Sequence, residues 1–414
     1  MTSETLTDDE RVVIVGLGAV TPLGLDVPTI WANLKAGQSG ISRISTVKEY
    51  PINDKVDIAG MVKGFDPETY LHPVDIRKTH TSHQYGYAAT VEAGIDARVL
   101  EGIPQPQKSR DSSLLIDVDP QRVGVIMATG IGGTNHVAEV EDLELLEAAK
   151  KFSLRLTGTE KLQNFNIDNL PADFAERVFR GVLNEAGRRL PKKSPYPVLK
   201  ILPERTAAII SLMLGTEGDL YTPIAACASG VRALSEAYKT IRAGDADQIF
   251  AGASESSIDP ISILSFQLIR ALSTRNEEPD KASRPFDLDS EGFVMSEGAA
   301  VMVVERLSSA RKRNARIYAE ILGYGNTSDA HHETAPHPEG RGAIRSMLQS
   351  LEKAGIEPKT IDFLNAHATS TGEADGKELD AYKVVFGEDL IPGIPITALK
   401  DRIGHMMGAS GAIE

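Results

Sequence analysis

Ala225-Ala226-Cys227-Ala228-Ser229-Gly230 contains the single cysteine of the 414 residues, and what lies on either side of it sets the fold. Asp219 to Ile224, before it, reads as a short extended strand. After it, Val231, Leu234, Tyr238 and Ile241 recur at helical spacing. Strands and helices alternate in this way along most of the chain, which implies an α/β layered architecture. A thiol at such a strand-to-helix turn has backbone N–H groups and the positive end of a helix dipole beside it. Both are expected to lower its pKa and favour the nucleophilic thiolate. The small neighbours leave room for a substrate carbonyl to approach. Taken alone, a lone cysteine is more often a small buried hydrophobe.

Two histidine segments shift that balance. Asn365-Ala366-His367-Ala368-Thr369-Ser370-Thr371 follows the apolar run Ile361 to Leu364, which reads as a strand, so His367 is expected in the loop beyond its end. Lys400-Asp401-Arg402-Ile403-Gly404-His405-Met406-Met407-Gly408-Ala409-Ser410-Gly411-Ala412 carries a lysine and a histidine into a small-residue helix. Each histidine by itself is more often structural. One cysteine and two histidines in such settings are the parts of an activated-thiol site. His331-His332-Glu333-Thr334-Ala335-Pro336-His337 is less informative: adjacent histidines on an extended segment point apart and no further ligand is evident, so no zinc site is expected.

At these residues the chain resembles the β-ketoacyl synthases of the thiolase superfamily, in particular the type I/II 3-oxoacyl-acyl-carrier-protein synthases. Further segments match in the family's order. They are Val12 to Gly24, Thr129-Gly130-Ile131-Gly132-Gly133, Arg270 to Asn276, Ser283 to Asp287 and Gly292 to Ala299. The resemblance implies a decarboxylative Claisen condensation in fatty-acid or polyketide elongation. Cys227 would take the acyl chain as a thioester, and His367 and His405 would donate N–H groups to the malonyl-derived enolate. Lys400 would orient His367, with Glu297 near the lysine. By the same resemblance Ile131 lines the acyl pocket, and Thr369, Thr371 and Thr334 contact the pantetheine arm, with His332 a lesser candidate. Each of these has a plainer reading as a packing, loop or helix-start residue. Asp375 and Glu378 complete the post-histidine pattern and read as structural. Ala368 stands where most relatives have glycine, so a positive φ there would carry a cost.

The implied fold is a thiolase-like five-layer α/β fold from two duplicated βαβαβαββ halves, the second incomplete. Arg11 to Gly18 is faintly echoed by Arg316 to Gly325. The expected division falls at residues 1–313, with the nucleophile and a helical insertion near 136–190, and 314–414. The sequence stops inside the helix after His405, ahead of a glycine-rich gating loop that family members carry, so it reads as truncated at the C-terminus. The glycines at 16 and 18 do not make a dinucleotide site, because a third glycine is missing and Pro22 follows.

Composition is that of an ordinary globular protein, 41% hydrophobic and 25% charged. The polar, acidic N-terminus lacks a signal pattern, and no apolar run is long enough to span a bilayer. A single cysteine fits a cytoplasmic setting. A net charge of −14 argues against nucleic acid as a partner. By resemblance the partner is acyl carrier protein, which brings phosphopantetheine with it, so no cofactor and no metal are expected, and the chain would form a homodimer. Arg77 with Lys78, Lys192 with Lys193, and Arg270 match the family's carrier-docking positions, although singly each is an ordinary surface charge. The alternative from another class is a non-catalytic partner subunit like a chain-length factor; Cys227 speaks against it.

Overall fold

The computed structural model describes residues 6–44, 55–104, 113–131, 197–332, 335–389 and 391–414. The expected insertion at 136–190, the docking pair Lys192 and Lys193, and Thr334 lie outside the described residues.

A mixed six-stranded sheet organises the chain, in the order β5-β4-β6-β7-β1-β8. Its members are β1 (Val12–Val20), β4 (Val123–Ala128), β5 (Leu220–Tyr221), β6 (Gln248–Glu255), β7 (Gly298–Arg306) and β8 (Ala319–Glu320), while β2 (Ile41–Arg43) and β3 (Ile58–Gly60) form a separate hairpin pair. β4 runs parallel to β5 and β6, whereas β7 is antiparallel to both β6 and β1. Every residue of β4 and β6 is buried, the mark of strands covered on both faces. Side chains alternate between the two cores as the pleat requires: Val123, Val125, Met127 and Phe250 enter one, Ile126, Ala128, Ile249, Ala251 and Ala253 the other.

The first core is closed by the helix Thr81–Asp96, which buries nearly its whole circumference. It lies so close to β1 that a Cβ on Gly18 would stand 2.0 Å from the carbonyl oxygen of Ala89. The Gly16-x-Gly18 pattern thus serves helix–strand packing. The second core is closed by the helix Ser229–Ala243 through Ala233, Ala237, Tyr238 and Ile241. Gly244 at φ 87° ends that helix in the left-handed conformation usual for such a cap.

The two echoing segments lie side by side, with β8 pairing antiparallel to β1 through Val13 with Glu320 and Ile14 with Ala319. Beyond them, β9 (Leu364–Asn365) and β10 (Ile396–Thr397) form a parallel pair. The helices Arg341–Ala354 and Gly372–Phe386 pack near this pair around Leu351, Ala366, Tyr382, Val385 and Phe386.

Glycines also set how the segment around residues 408–412 meets the start of the helix Ser229–Ala243 and the loop after β4. A Cβ on Gly230 would lie 2.4 Å from the backbone nitrogen of Ala412, and one on Gly408 only 2.0 Å from that of Gly130. Gly376, by contrast, is a mid-helix glycine with nothing within 4 Å of the added carbon. Gly230→Ala should therefore cost about 1–3 kcal/mol by overpacking against backbone. Gly376→Ala should add about 0.5–1 kcal/mol of stability through helix propensity. Urea unfolding of both variants checks this; equal effects would show that the close approach is not real.

Candidate active site

Cys227 is half-buried in a tight turn, Ala226–Ala228, that leads into the helix Ser229–Ala243. Ala226 has φ 47°, a left-handed conformation that alanine rarely adopts. Ser229 holds it: its hydroxyl accepts the Ala225 N–H at 2.8 Å and donates to the Ala226 carbonyl at 2.7 Å. No side chain caps the helix start at Ala228; the Ala228 and Ser229 N–H groups donate to the carbonyls of Ala225 and Ala226 instead.

His405 is fixed by main chain and side chain together. Its N–H donates to the Val294 carbonyl at 2.7 Å, and its carbonyl accepts the Ser296 N–H at 2.9 Å. Its Nδ1 accepts the Met407 N–H at 3.1 Å and lies 2.8 Å from the Ser410 hydroxyl. A backbone N–H only donates, so Nδ1 is unprotonated and the proton sits on Nε2. The ring stands edge-on to Phe293 and His367, with centroids 5.1 and 5.5 Å away.

His367 depends on Glu378, whose carboxylate accepts the His367 and Ala368 N–H groups at 2.7 Å each and the Tyr382 hydroxyl at 2.6 Å. That clamp holds Ala368 at φ 37° and is followed by Ser370 at φ 67°. The expected conflict at Ala368 is thus present and offset locally. Asp375 accepts the N–H groups of Phe286 and Ser370, so both acids of this loop serve the backbone.

Lys400 is 1% exposed and ion-paired with Glu414, and its Nζ lies 3.5 Å from His367 Nδ1. The ammonium donates, which again leaves the proton of His367 on Nε2. Burial and then the Lys400 charge push the His367 pKa down to about 3, although the residue as a whole is exposed to solvent. His405, wholly enclosed, falls well below the usual imidazole value for the same reasons, with His367 adding to them. Both imidazoles are therefore neutral N–H donors at neutral pH. The thiol behaves otherwise than the strand-to-helix turn led one to expect. Burial raises the Cys227 pKa; the Lys400 charge opposes this, and Glu255 and Glu414 reinforce it. Desolvation outweighs the helix end.

The structure brings Cys227, His367 and His405 together, with their sulfur and ring nitrogens within 4.8 Å of one another. Such a trio could ligate a metal, but zinc bonds of about 2.0–2.3 Å need a tighter cluster. The Lys400 cation beside it also disfavours a second positive charge. Glu297, preceding β7, accepts from Val62 N–H, Tyr85 and Ser256 at 3.1, 3.3 and 2.8 Å. The carboxylate on Lys400 is that of Glu414, which sequence reasoning missed, as it missed the buried Glu255 at the end of β6. An acid closing an otherwise apolar strand was the available signal for Glu255.

Ile131 packs against the cluster of Phe293, Met295 and Met407. The hydroxyls of Thr369 and Thr371 are 2.7 Å apart. His332 is exposed, its Nδ1 accepting the Ala335 N–H. Arg77 is exposed, and Lys78 pairs with Asp75 at 3.5 Å. Arg270 is exposed in a surface cleft of about 440 Å³ shared with Lys55, Leu264, Leu268 and Glu291. No helix among the described residues is long and apolar enough to cross a membrane.

Comparison with known proteins places the chain in a family. The family model "Beta-ketoacyl synthase, N-terminal domain" matches residues 9–167 and 175–310, and its C-terminal counterpart matches 318–414. The chain is 35% identical over 409 residues to 3-oxoacyl-acyl-carrier-protein synthase 2 of Staphylococcus aureus strain N315, covering 99% of this chain and 84% of that protein. Among solved structures, it resembles a type II polyketide ketosynthase in complex with its acyl-carrier protein and bound to a hexaketide, at 30% identity and TM-score 0.70. It also resembles the ishigamide ketosynthase/chain length factor, at 28% identity and TM-score 0.75. Each alignment covers 98% of this chain and 84% of the other.

Lys400→Met should raise the Cys227 pKa further, because it removes the charge that opposes burial. The pH profile of iodoacetamide alkylation, followed by intact mass, should move to higher pH; an unmoved profile would show that the lysine does not act on the thiol. His405 also bears on acid stability. Its native pKa lies below the unfolded value of about 6.5, so on acidification the unfolded chain binds a proton that the native protein does not. Stability should be full above that pH and fall below it, by at most about 1.4 kcal/mol per pH unit from this group. His405→Asn should flatten that slope in urea melts run between neutral pH and pH 4.

Proposed function

The chain belongs to the β-ketoacyl synthase family, and on that footing we propose that it is a 3-oxoacyl-acyl-carrier-protein synthase working through an acyl–Cys227 intermediate. The observation that carries this reading is the meeting of one thiol with two neutral imidazoles, both protonated on Nε2. In the first half-reaction the thioester bond of the incoming acyl group breaks and a new one forms at Cys227 Sγ. The pantetheine thiol leaves with the proton that the cysteine gives up. The backbone N–H of Cys227, at the uncapped helix start, is the oxyanion donor for that step. In the second, a malonyl thioester loses carbon dioxide, and its enolate carbon attacks the acyl–Cys227 carbonyl. The Cys227–acyl bond breaks, and the released thiolate takes up a proton.

The enolate oxygen needs donors that carry no negative charge, which two Nε2–H groups supply. Lys400 orients His367 and contributes positive potential. Ile131 borders the acyl pocket, and Thr369 and Thr371 receive the pantetheine arm. The synthases of this family need no free cofactor, since phosphopantetheine is carried by the carrier protein. Arg77, Lys78 and Arg270, with Lys192 and Lys193, form the docking set for that acidic partner, in a cytoplasmic homodimer. The ketosynthase relative in complex with an acyl-carrier protein supports the choice of partner.

A second reading, a partner subunit without turnover, draws on the ketosynthase/chain-length-factor relative. The intact Cys227, His367 and His405 favour the enzyme.

Incubation with acyl-carrier proteins of several chain lengths should add one acyl mass to the wild type and none to Cys227→Ala, read by intact-mass spectrometry. His367→Ala and His405→Ala should still acylate but lose condensation by about 100-fold or more. An unacylated yet folded wild type would contradict the assignment of Cys227. Charge reversal of Arg77, Lys78 and Arg270 should raise the low-salt KM for carrier protein, mainly through slower association; an unchanged KM would remove these residues from the docking set.

A further inference from the structure

We infer that Glu255 is a positioning residue that holds the His405 imidazole in its donor form, an inference that rests on the condensing reading above. Glu255 is the last residue of β6 and is wholly buried. Its Oε2 accepts the N–H groups of Gly130 at 2.6 Å, Ile131 at 3.3 Å and Gly408 at 3.3 Å. Its Oε1 accepts the Thr129 hydroxyl at 3.2 Å. Three of these donors belong to the loop that follows β4, and the fourth belongs to the turn that follows His405. The two loops touch backbone to backbone, since a Cβ on Gly408 would lie 2.0 Å from the Gly130 nitrogen.

Between Gly408 and His405 stands Met407 at φ 47°, a left-handed conformation disfavoured for any residue with a Cβ. Its N–H is the donor that keeps His405 Nδ1 unprotonated. The strained residue is therefore pinned on both sides, by the imidazole at its own N–H and by Glu255 at the next one. Without the carboxylate, Met407 relaxes toward right-handed backbone and its N–H turns away from Nδ1. His405 is then free to carry its proton on either nitrogen, and only the Nε2–H form donates to an enolate oxygen. The same carboxylate positions the backbone of Ile131, so one buried acid couples the acyl-pocket wall to the condensing histidine. Burial raises its pKa, opposed by the backbone donors and Thr129.

The test is Glu255→Gln, which keeps the shape and one accepting oxygen but loses the charge, compared with Glu255→Asp, which restores the charge on a shorter arm. Malonyl decarboxylation and condensation should fall about 10-fold or more in Glu255→Gln, whereas acylation of Cys227, whose thiol loses a charge that raises its pKa, should not fall with them. Glu255→Asp should recover part of the lost decarboxylation. Histidine-selective 15N spectra, with His405 assigned through His405→Asn, should show Nε2–H alone in the wild type and a tautomer mixture in Glu255→Gln. A folded Glu255→Gln with an unchanged His405 tautomer overturns the inference, as do two half-reactions that fall together in step with Tm. A wild type that neither acylates nor consumes malonyl groups refutes the condensing reading instead, and the histidine spectrum still decides the role of Glu255.

Discussion

The site exists because four glycines let backbone meet backbone where ordinary side chains would hold it apart. Gly130 and Gly408 bring the loop after β4 against the turn after His405, and Gly230 and Gly411 bring the start of the nucleophile helix against the last helical turn. Cβ atoms at these places would stand between 2.0 and 2.8 Å from neighbouring heavy atoms. Close packing transmits such displacements directly, because interiors have little free volume to absorb them. The distance from Cys227 to the two imidazoles is therefore set by glycines that perform no chemistry.

Within that frame, charge and burial work against each other on the same groups. Lys400 is nearly wholly enclosed, a costly place for an ammonium, and pairing with Glu414 offsets the desolvation. Burial first, and then the positive charge of Lys400, keep both imidazoles neutral, and the same charge opposes the rise in the thiol pKa. Burial and the acids Glu255 and Glu414 push that thiol the other way. The outcome is two uncharged imidazoles beside a thiol whose pKa burial raises and Lys400 opposes.

Much of this was legible in the residues. The strand, the small-residue turn and the helix around Cys227 follow from local pattern, and so do His367 beyond its strand and the Lys400-to-His405 loop. The strain at Ala368 was foreseen through the resemblance, because alanine stands there where most relatives have glycine, and its φ of 37° bears this out. The acid partners were not legible. Glu297 and Glu414 lie far apart in the sequence, and that the one on Lys400 is Glu414 follows only from how the helix Ser410–Ile413 meets the lysine. Glu255 was not singled out from the sequence, because the two loops that converge on it lie far from it along the chain.

The sequence alone pointed to the layered α/β class through periodicity, and to Cys227, His367 and His405 as candidates for one site through residue type and resemblance. Only the tertiary structure decided the protonation states. Local signals predicted an acidic thiol at a helix start, and the folded chain raises its pKa because desolvation depends on everything packed around the sulfur. Likewise, which nitrogen of His405 bears the proton is fixed by a backbone N–H two residues away, held in place by an acid 150 positions earlier in the chain. Such a property belongs to contacts between distant segments, and no window of sequence contains it.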